Sequence, residues 1–129
     1  RVCVAAFSEQ RMRRLRGLIG PRLCSSASPR EVTALVSAAT ITGSAKASST
    51  KARSKSPYQC LQVPESHGRV KILTRRFLSA AHARGLKVHV WTIDDPVDMN
   101  RLLDMGVDGI FTDQPSVLKA VLIDRGQWT

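Results

Sequence analysis

Apolar, strand-like runs and amphipathic helical stretches alternate strictly along this chain, with short turns between most of them. That order constrains the architecture more than any other feature. Strands joined through helices lie parallel, and the helices cover the sheet they help to build. The run at 2–7 (VCVAAF) is apolar throughout, the pattern of a strand buried on both faces. Ser8 is placed to cap a helix in which Met12, Leu15, Leu18 and Ile19 recur at helical spacing. Arg11, Arg13, Arg14 and Arg16 point largely elsewhere, and Gly20-Pro21 stops the helix. A short strand at 22–25 precedes Ser28-Pro29-Arg30-Glu31, which combines an N-cap, a proline at the first helical position and a glutamate three residues after the cap. Val32, Leu35, Val36 and Ala39 give that second helix its apolar face.

Regular structure resumes with a strand at 58–63 that ends at Pro64. Thr74 opens a helix with Phe77, Leu78, Ala81 and His82 inward, closed by Gly85 where a left-handed residue is wanted. The run at 86–93 (LKVHVWTI) is the clearest strand of the chain. Asp95-Pro96 begins a helix carrying Met99, Leu102 and Leu103, with acids suited to the positive end of its dipole, and Gly106 ends it. A short strand at 107–112 (VDGIFT) and a last helix after Pro115, using Val117, Leu118, Val121 and Leu122, complete the order β-α-β-α-loop-β-α-β-α-β-α. Right-handed crossovers leave two choices, a doubly wound open sheet or part of a (β/α)₈ barrel. No glycine-rich phosphate loop follows any strand, which weakens the nucleotide-binding option.

The segment 42–57 contains no hydrophobe larger than alanine. It buries too little to offset its ordering entropy and is expected to be a flexible basic loop within the single domain 1–129. Much of the net charge of +10 lies in or before it. Residues 1–57 hold 11 Lys/Arg against 2 acids, whereas residues 58–129 hold 9 against 8. Nucleic-acid binding would want such residues interleaved with aromatics or carried by a known module, and neither is visible. A solvated helix face plus a charged loop is the plainer reading, with attraction to phosphate-bearing ligands as its alternative. Cys3, Cys24 and Cys60 share no metal-ligand spacing and read as small buried hydrophobes of a reducing compartment, which favours the cytoplasm. No apolar run approaches the roughly 20 residues of a membrane-spanning helix, and no signal peptide is visible. The chain opens at Arg1 without Met and enters a strand at once, so its beginning reads as a cut that would remove any upstream signal.

The last third carries a specific pattern. Gly85-Leu86-Lys87-Val88-His89-Val90-Trp91-Thr92-Ile93-Asp94-Asp95 is followed, one helix later, by Met105-Gly106-Val107-Asp108-Gly109-Ile110-Phe111-Thr112-Asp113 and then Pro115. These two spaced motifs resemble the glycerophosphodiester phosphodiesterase family, which closes its barrel with G-x-x-V-x-x-W-T-V-N-D and then L-x-x-x-G-V-D-G-I-I-T-D-x-P. Ile93 stands for the usual Val and Asp94 for the usual Asn. Phe7 after the first strand is similar to the family's S-F-D turn, from which Ala6 and Ser8 depart. The resemblance implies the C-terminal half of a (β/α)₈ TIM barrel with about five parallel strands.

Strand alternation puts Lys87, His89, Trp91 and Ile93 on one side and Val88, Val90 and Thr92 on the other. The valines suit the helix-facing layer, which leaves Trp91 inward near the barrel mouth, where ligands of such folds bind. The resemblance places this tryptophan against the glycerol moiety of a substrate, and an indole face suits a carbon skeleton. Phe7, also at a strand end, reads as a wall of the same pocket or, more simply, as core. Thr92 and Asp113 are structural residues of the mouth, Asp113 either capping the next helix or tying down neighbouring loops. Asp94 and Asp95 read as helix-start residues. Gly106 reads as a helix terminator and Gly109 as a close approach beside a strand. His82 is packed or half-exposed, His89 points into the interior, and His67 lies near the mouth. None of the three has a partner at a spacing that identifies a triad or ligand set.

The resemblance further implies hydrolysis of glycerophosphodiesters to glycerol 3-phosphate and an alcohol, with a divalent metal (Ca or Mg) held by carboxylates and two histidines moving protons. The motifs for that chemistry, H-R-G, P-E-N-T and E-x-D, are missing, and Pro64-Glu65 is only an echo in the wrong part of the fold. Catalytic residues and metal ligands are therefore not assigned, and the chain alone is expected to be inactive. A full barrel runs to about 250 residues. Five strands alone would leave two sheet edges open to self-association. The competing function is a basic phosphate- or nucleic-acid-binding module without catalysis.

Overall fold

A computed structural model describes residues 2–41 and 56–128. The core of the sheet is β3 (Cys60–Pro64), β6 (Lys87–Trp91) and β7 (Gly109–Ile110), all parallel. β1 (Cys3–Val4) pairs in parallel with β2 (Cys24–Ser25). The two groups are stitched together just past β2. Ser26 bridges to Cys60, the Ala27 N–H donates to the Cys60 carbonyl at 2.8 Å, and the Gln59 N–H donates to the Ser25 carbonyl at 3.0 Å. One parallel array β1-β2-β3-β6-β7 results, in chain order, as a barrel segment requires. An antiparallel hairpin, β4 (Ser66–His67) and β5 (Val70–Lys71), interrupts that order at the carboxyl end of β3.

Among the described residues four α-helices connect the strands, α1 (Glu9–Ile19), α2 (Pro29–Ile41), α3 (Arg75–His82) and α4 (Pro96–Met105), and α5 (Pro115–Asp124) follows the last strand. Their starts follow the capping chemistry legible in the chain. Ser8 accepts from the Arg11 N–H, Thr74 from the Phe77 N–H, and Asp95 from the Val97 and Asp98 N–H groups, each satisfying donors that a helix leaves free. Glu31 reaches back to the Ser28 N–H at 2.7 Å, half of a capping box. Gly106 ends α4 at φ 97°, a left-handed conformation that any side chain would oppose.

The core lies between the outer face of β3–β6 and helices α3 and α4. Leu61, Val63, Val88 and Val90 from the strands meet Phe77, Leu78, Ala81, Met99 and Leu102 from the helices, all buried. Each such side chain contributes about 1.5–3 kcal/mol on leaving water, so this half of the molecule carries most of the apolar stabilisation. Val88 and Val90 face the helices, as alternation requires. Ile93 departs from it. The regular strand ends at Trp91, and Ile93 turns into the same apolar cluster as the valines.

The amino-terminal part departs further from the sequence reading. β1 keeps two residues of the expected 2–7, and Val2 and Phe7 are 76% and 82% exposed. Both-face burial needs neighbours, and β1 has a strand on one edge alone among the described residues. In α1 only Met12 is buried, while Leu18 and Ile19 are exposed. Arg16, read as pointing away, turns inward instead. It grips Glu31 with both terminal nitrogens at 2.8 and 3.1 Å, donates to Ser25 Oγ and the Ser26 carbonyl, and lies 5.6 Å from the Tyr58 ring centre. Arg22, placed in a strand from the sequence, belongs to a 3₁₀ turn at Gly20–Arg22. Of the expected loop 42–57, residues 42–55 lie outside the described residues.

Candidate functional site

The carboxyl ends of β1, β2, β3 and β6 converge on an open cavity of about 660 Å³. Its floor and walls are mostly apolar. Ala5 to Phe7 come from the end of β1, Ala27 from that of β2, Val63 and Pro64 from β3 and Trp91 from β6. Its polar side chains are Ser26, Thr33, Gln62 and His67. Trp91 is half-buried at the last position of β6, and Phe7 stands edge-on to it with ring centres 6.1 Å apart at 84°. Two residues 84 positions apart in the chain thus form one aromatic corner. Such an edge-to-face pair holds the indole in a fixed attitude while leaving a face for a ligand. Phe7 is not core, as the simpler reading had it, because its ring has the cavity on one side and solvent on the other.

His67 reaches this cavity on the β4–β5 hairpin, an element the sequence reading missed. The hairpin is held rigidly for its size. The Glu65 carbonyl accepts from Ile72 and Leu73, and the Glu65 carboxylate takes a bidentate contact from Arg101 at 2.9 and 3.2 Å. Arg101 is shared with Asp98, and Lys71 approaches Glu65 at 3.7 Å. The one available signal was Gly68 at φ 58° between two short arms, a two-residue turn of the glycine-first kind.

The ends of β6 and β7 are joined by Asp94. Its Oδ1 accepts from Thr112 Oγ1 and from the Asp113 N–H, both at 2.8 Å, and Thr112 Oγ1 in turn accepts from the Gln114 N–H. The helix-start role foreseen for Asp94 belongs to Asp95 alone. Asp113 is exposed at the mouth, and it is held there through its backbone. Its side chain does not cap α5, whose N-cap residue is Gln114. Thr92 is exposed next to Trp91, across a cis peptide bond. Trp91 and Asp113 therefore stand at the same end of two adjacent parallel strands.

Deeper in the array, His89 lies edge-on to Phe111 and against the backbone of Gly109. Burial pushes its pKa down, with Asp108 opposing and Lys87 reinforcing the shift, so the ring is neutral at pH 7. His82 is exposed rather than inward and bonds Asp108 at 2.8 Å. The three cysteines cluster at the opposite, amino-terminal end of the strands. Cys3 and Cys60 sulfurs are 3.3 Å apart, Cys60 is buried, and Cys24 is exposed, contrary to expectation. Burial raises the thiols of Cys3 and Cys60.

Among the described residues no group of three His, Cys, Asp or Glu side chains is placed to hold a metal ion. Four of the carboxylates near the mouth have other work, and the fifth, Asp113, joins no such group of three. Glu65 and Asp98 are both engaged by Arg101, Asp94 ties two strands, and Asp95 caps α4. They do not fit a divalent-metal cradle. Among the described residues no helix is long and apolar enough to cross a membrane.

Comparison with known proteins agrees with this architecture. A protein of Mycobacterium tuberculosis named Probable glycerophosphodiester phosphodiesterase 2 is 40% identical over 128 residues, which cover 99% of this chain and 47% of that protein. Glycerophosphodiester phosphodiesterase of Bacillus subtilis is 37% identical over 51 residues, 40% of this chain and 17% of its own length. The crystal structure of a glycerophosphodiester phosphodiesterase from Parabacteroides distasonis superposes with a TM-score of 0.61 at 24% identity, over 95% of this chain and 43% of that one. The chain thus spans less than half the length of each of these relatives. The family model for glycerophosphoryl diester phosphodiesterases matches residues 11–117, and the chain belongs to that family.

Proposed function

We propose that this chain supplies the substrate-holding side of a glycerophosphodiester phosphodiesterase, with Trp91 and Phe7 packing against the glycerol of the substrate. The observation that carries the reading is the edge-to-face pair they make at the carboxyl ends of parallel strands, beside an open cavity. The reaction is hydrolysis of a phosphodiester to glycerol 3-phosphate and an alcohol. In the family a divalent metal supplies the Lewis acid that polarises the phosphoryl group. The carboxylates described above do not fit that role, so no step is assigned to them. The part of this chain is to bind and orient. Trp91 offers an apolar face to the glycerol carbons, Phe7 fixes that face, and Gln62 and His67 are the polar groups within the cavity.

The basic-module alternative loses support from the arginines themselves, since Arg16 is engaged by Glu31 and Arg13 by Glu9. The test is titration of the chain with glycerol 3-phosphate, reading tryptophan fluorescence in a Trp128→Phe background so that Trp91 reports alone. Saturable quenching is expected, weakened at least tenfold by Phe7→Ala, with no metal-dependent turnover of glycerophosphocholine by the chain itself. Absence of saturable quenching, or turnover by the purified chain, would refute the proposal.

A further inference from the structure

The thiols at the amino-terminal ends of β1, β2 and β3 have no part in the chemistry proposed for the other end of the strands. They form a series graded by access. Cys24 is exposed, Cys3 is half-buried and Cys60 is buried. Cys3 stands between the other two, with its Sγ 3.3 Å from Cys60 Sγ and a side-chain hydrogen bond shared with Cys24. Strand geometry separates the two pairings open to it. Cys3 and Cys24 are direct partners in the parallel pair β1–β2. Their Cα atoms therefore stand about one strand spacing apart, roughly 4.8 Å, with both side chains on the same face. A disulfide wants about 4.4–6.8 Å between Cα atoms, so this pair can be bridged. Cys60 lies on β3, beyond β2. Two strand spacings, roughly 9–10 Å, exceed what a disulfide spans.

We propose that Cys24 is a site of exchange with low-molecular-weight disulfides and that Cys3 resolves the adduct, leaving a reversible Cys3–Cys24 disulfide. The Cys24 thiolate attacks one sulfur of the small disulfide, whose S–S bond breaks. One small thiol leaves, carrying the proton that Cys24 gave up. The Cys3 thiolate then attacks Cys24 Sγ and expels the second small thiol, which takes the proton from Cys3. Two protein thiols are oxidised and one small disulfide is reduced to two thiols, so atoms and electrons balance. Exposure sets the point of entry, since Cys60 is closed to solvent and Cys3 partly so. The hydrogen bond to Cys3 raises the Cys24 thiol and burial raises that of Cys3, which makes both steps slow at neutral pH. The product bears on the cavity. Ala5 to Phe7, just past β1, form one of its walls. A bond at Cys3 pins that strand to β2 from the end away from the ligand and leaves the cavity open.

The test incubates the reduced chain with glutathione disulfide, quenches with acid and maps the tryptic peptides without reduction. Cys3 falls in the peptide 2–11 and Cys24 in the peptide 23–30. These two are expected to be linked, with Cys60 recovered as a free thiol. Cys3→Ser should stop at a glutathione adduct on Cys24. Cys24→Ser should slow the release of glutathione by about tenfold, since only shielded thiols remain. Circular dichroism checks that both variants are folded. In urea the preference for the Cys3–Cys24 pair should vanish, because the strands and not the chain spacing set it. Wild type that accumulates the Cys24 adduct would show a lone exposed thiol and end the proposal. A Cys3–Cys60 bond, a Cys24–Cys24 link between two chains, or an unchanged pairing preference in urea would each overturn it as well.

Discussion

Gly109 and His89 meet across β6 and β7 at a distance that admits no side chain. A Cβ at Gly109 would stand 2.9 Å from His89 Cδ2, a separation at which something must move. The Phe111 ring stands edge-on to the imidazole with centroids 6.1 Å apart, which narrows the directions in which it can yield. Gly109→Ala is therefore expected to cost about 1–3 kcal/mol by overpacking. His89→Ala in the same chain should return most of that loss, a coupling that urea unfolding of the two single variants and the double variant measures. His89 also sets a pH dependence. Its pKa is depressed in the fold, mainly by burial, so the unfolded chain binds the proton more readily. The associated stability is fully present above the ordinary histidine value of about 6.5 and is lost as pH falls through the folded value. Unfolding midpoints from pH 8 down to pH 5 should fall in wild type, and the part of the slope below pH 6.5 should shrink in His89→Phe. Equal slopes would assign the acid sensitivity elsewhere.

Elements with their own periodic signal are legible in the sequence, and elements defined by their neighbours are not. β3 and β6 run five residues each because Leu61, Val63, Val88 and Val90 supply an alternating face that helices cover. The caps Ser8, Thr74 and Asp95 are legible because the side chain and its backbone partner lie within three residues. The apolar runs at 2–7 and 107–112 look equally strand-like, yet only two residues of each pair in the sheet, since pairing depends on what lies alongside. The arms of the β4–β5 hairpin are too short to carry any period, so His67 could be placed near the mouth but not on its platform. In the site, Trp91 was legible from a motif, whereas its contact with Phe7 depends on the curvature of the whole strand array. Arg16 belongs to the same class. Nothing local distinguishes it from Arg13 or Arg14, but one turn of helix brings it onto Glu31 and the Ser26 carbonyl just past β2. It is the main polar link between α1 and the start of α2. Arg16→Ala is expected to destabilise the chain by about 2–4 kcal/mol, since it removes a bidentate, half-buried pair and leaves Glu31 with only the Ser28 N–H among the described residues. Arg16→Lys should recover only part, because an ammonium cannot reproduce the fork. Thermal or urea unfolding orders the three. Arg16→Ala within 0.5 kcal/mol of wild type, roughly the scatter of ordinary surface substitutions, would show the brace to be idle.

At the scale of the whole array, the sheet of the described residues is open. β1 and β7 each have a strand on one edge alone among the described residues, and exposed apolar side chains adjoin both strands in the chain, Val2 and Phe7 at β1 and Phe111 at β7. An open edge with apolar neighbours is a template for another strand. Arithmetic then decides what kind of association follows. A ring of this fold closes at about eight strands, and the parallel array holds five among the described residues. Two copies joined edge to edge give about ten, which overshoots closure and leaves the second pair of edges mismatched. A contact between unlike edges that does not close continues into open chains. We therefore expect the purified chain to associate progressively, with no preferred dimer. Light scattering across a hundredfold range of concentration should show a mass that climbs without a plateau. Lysines at the two flanks, as in Val2→Lys with Phe111→Lys, should hold it nearer the monomer, because a charge set at an edge makes continued pairing costly. A single mass that stays constant over that range, monomeric or dimeric, would mean that the edges are closed in some other way.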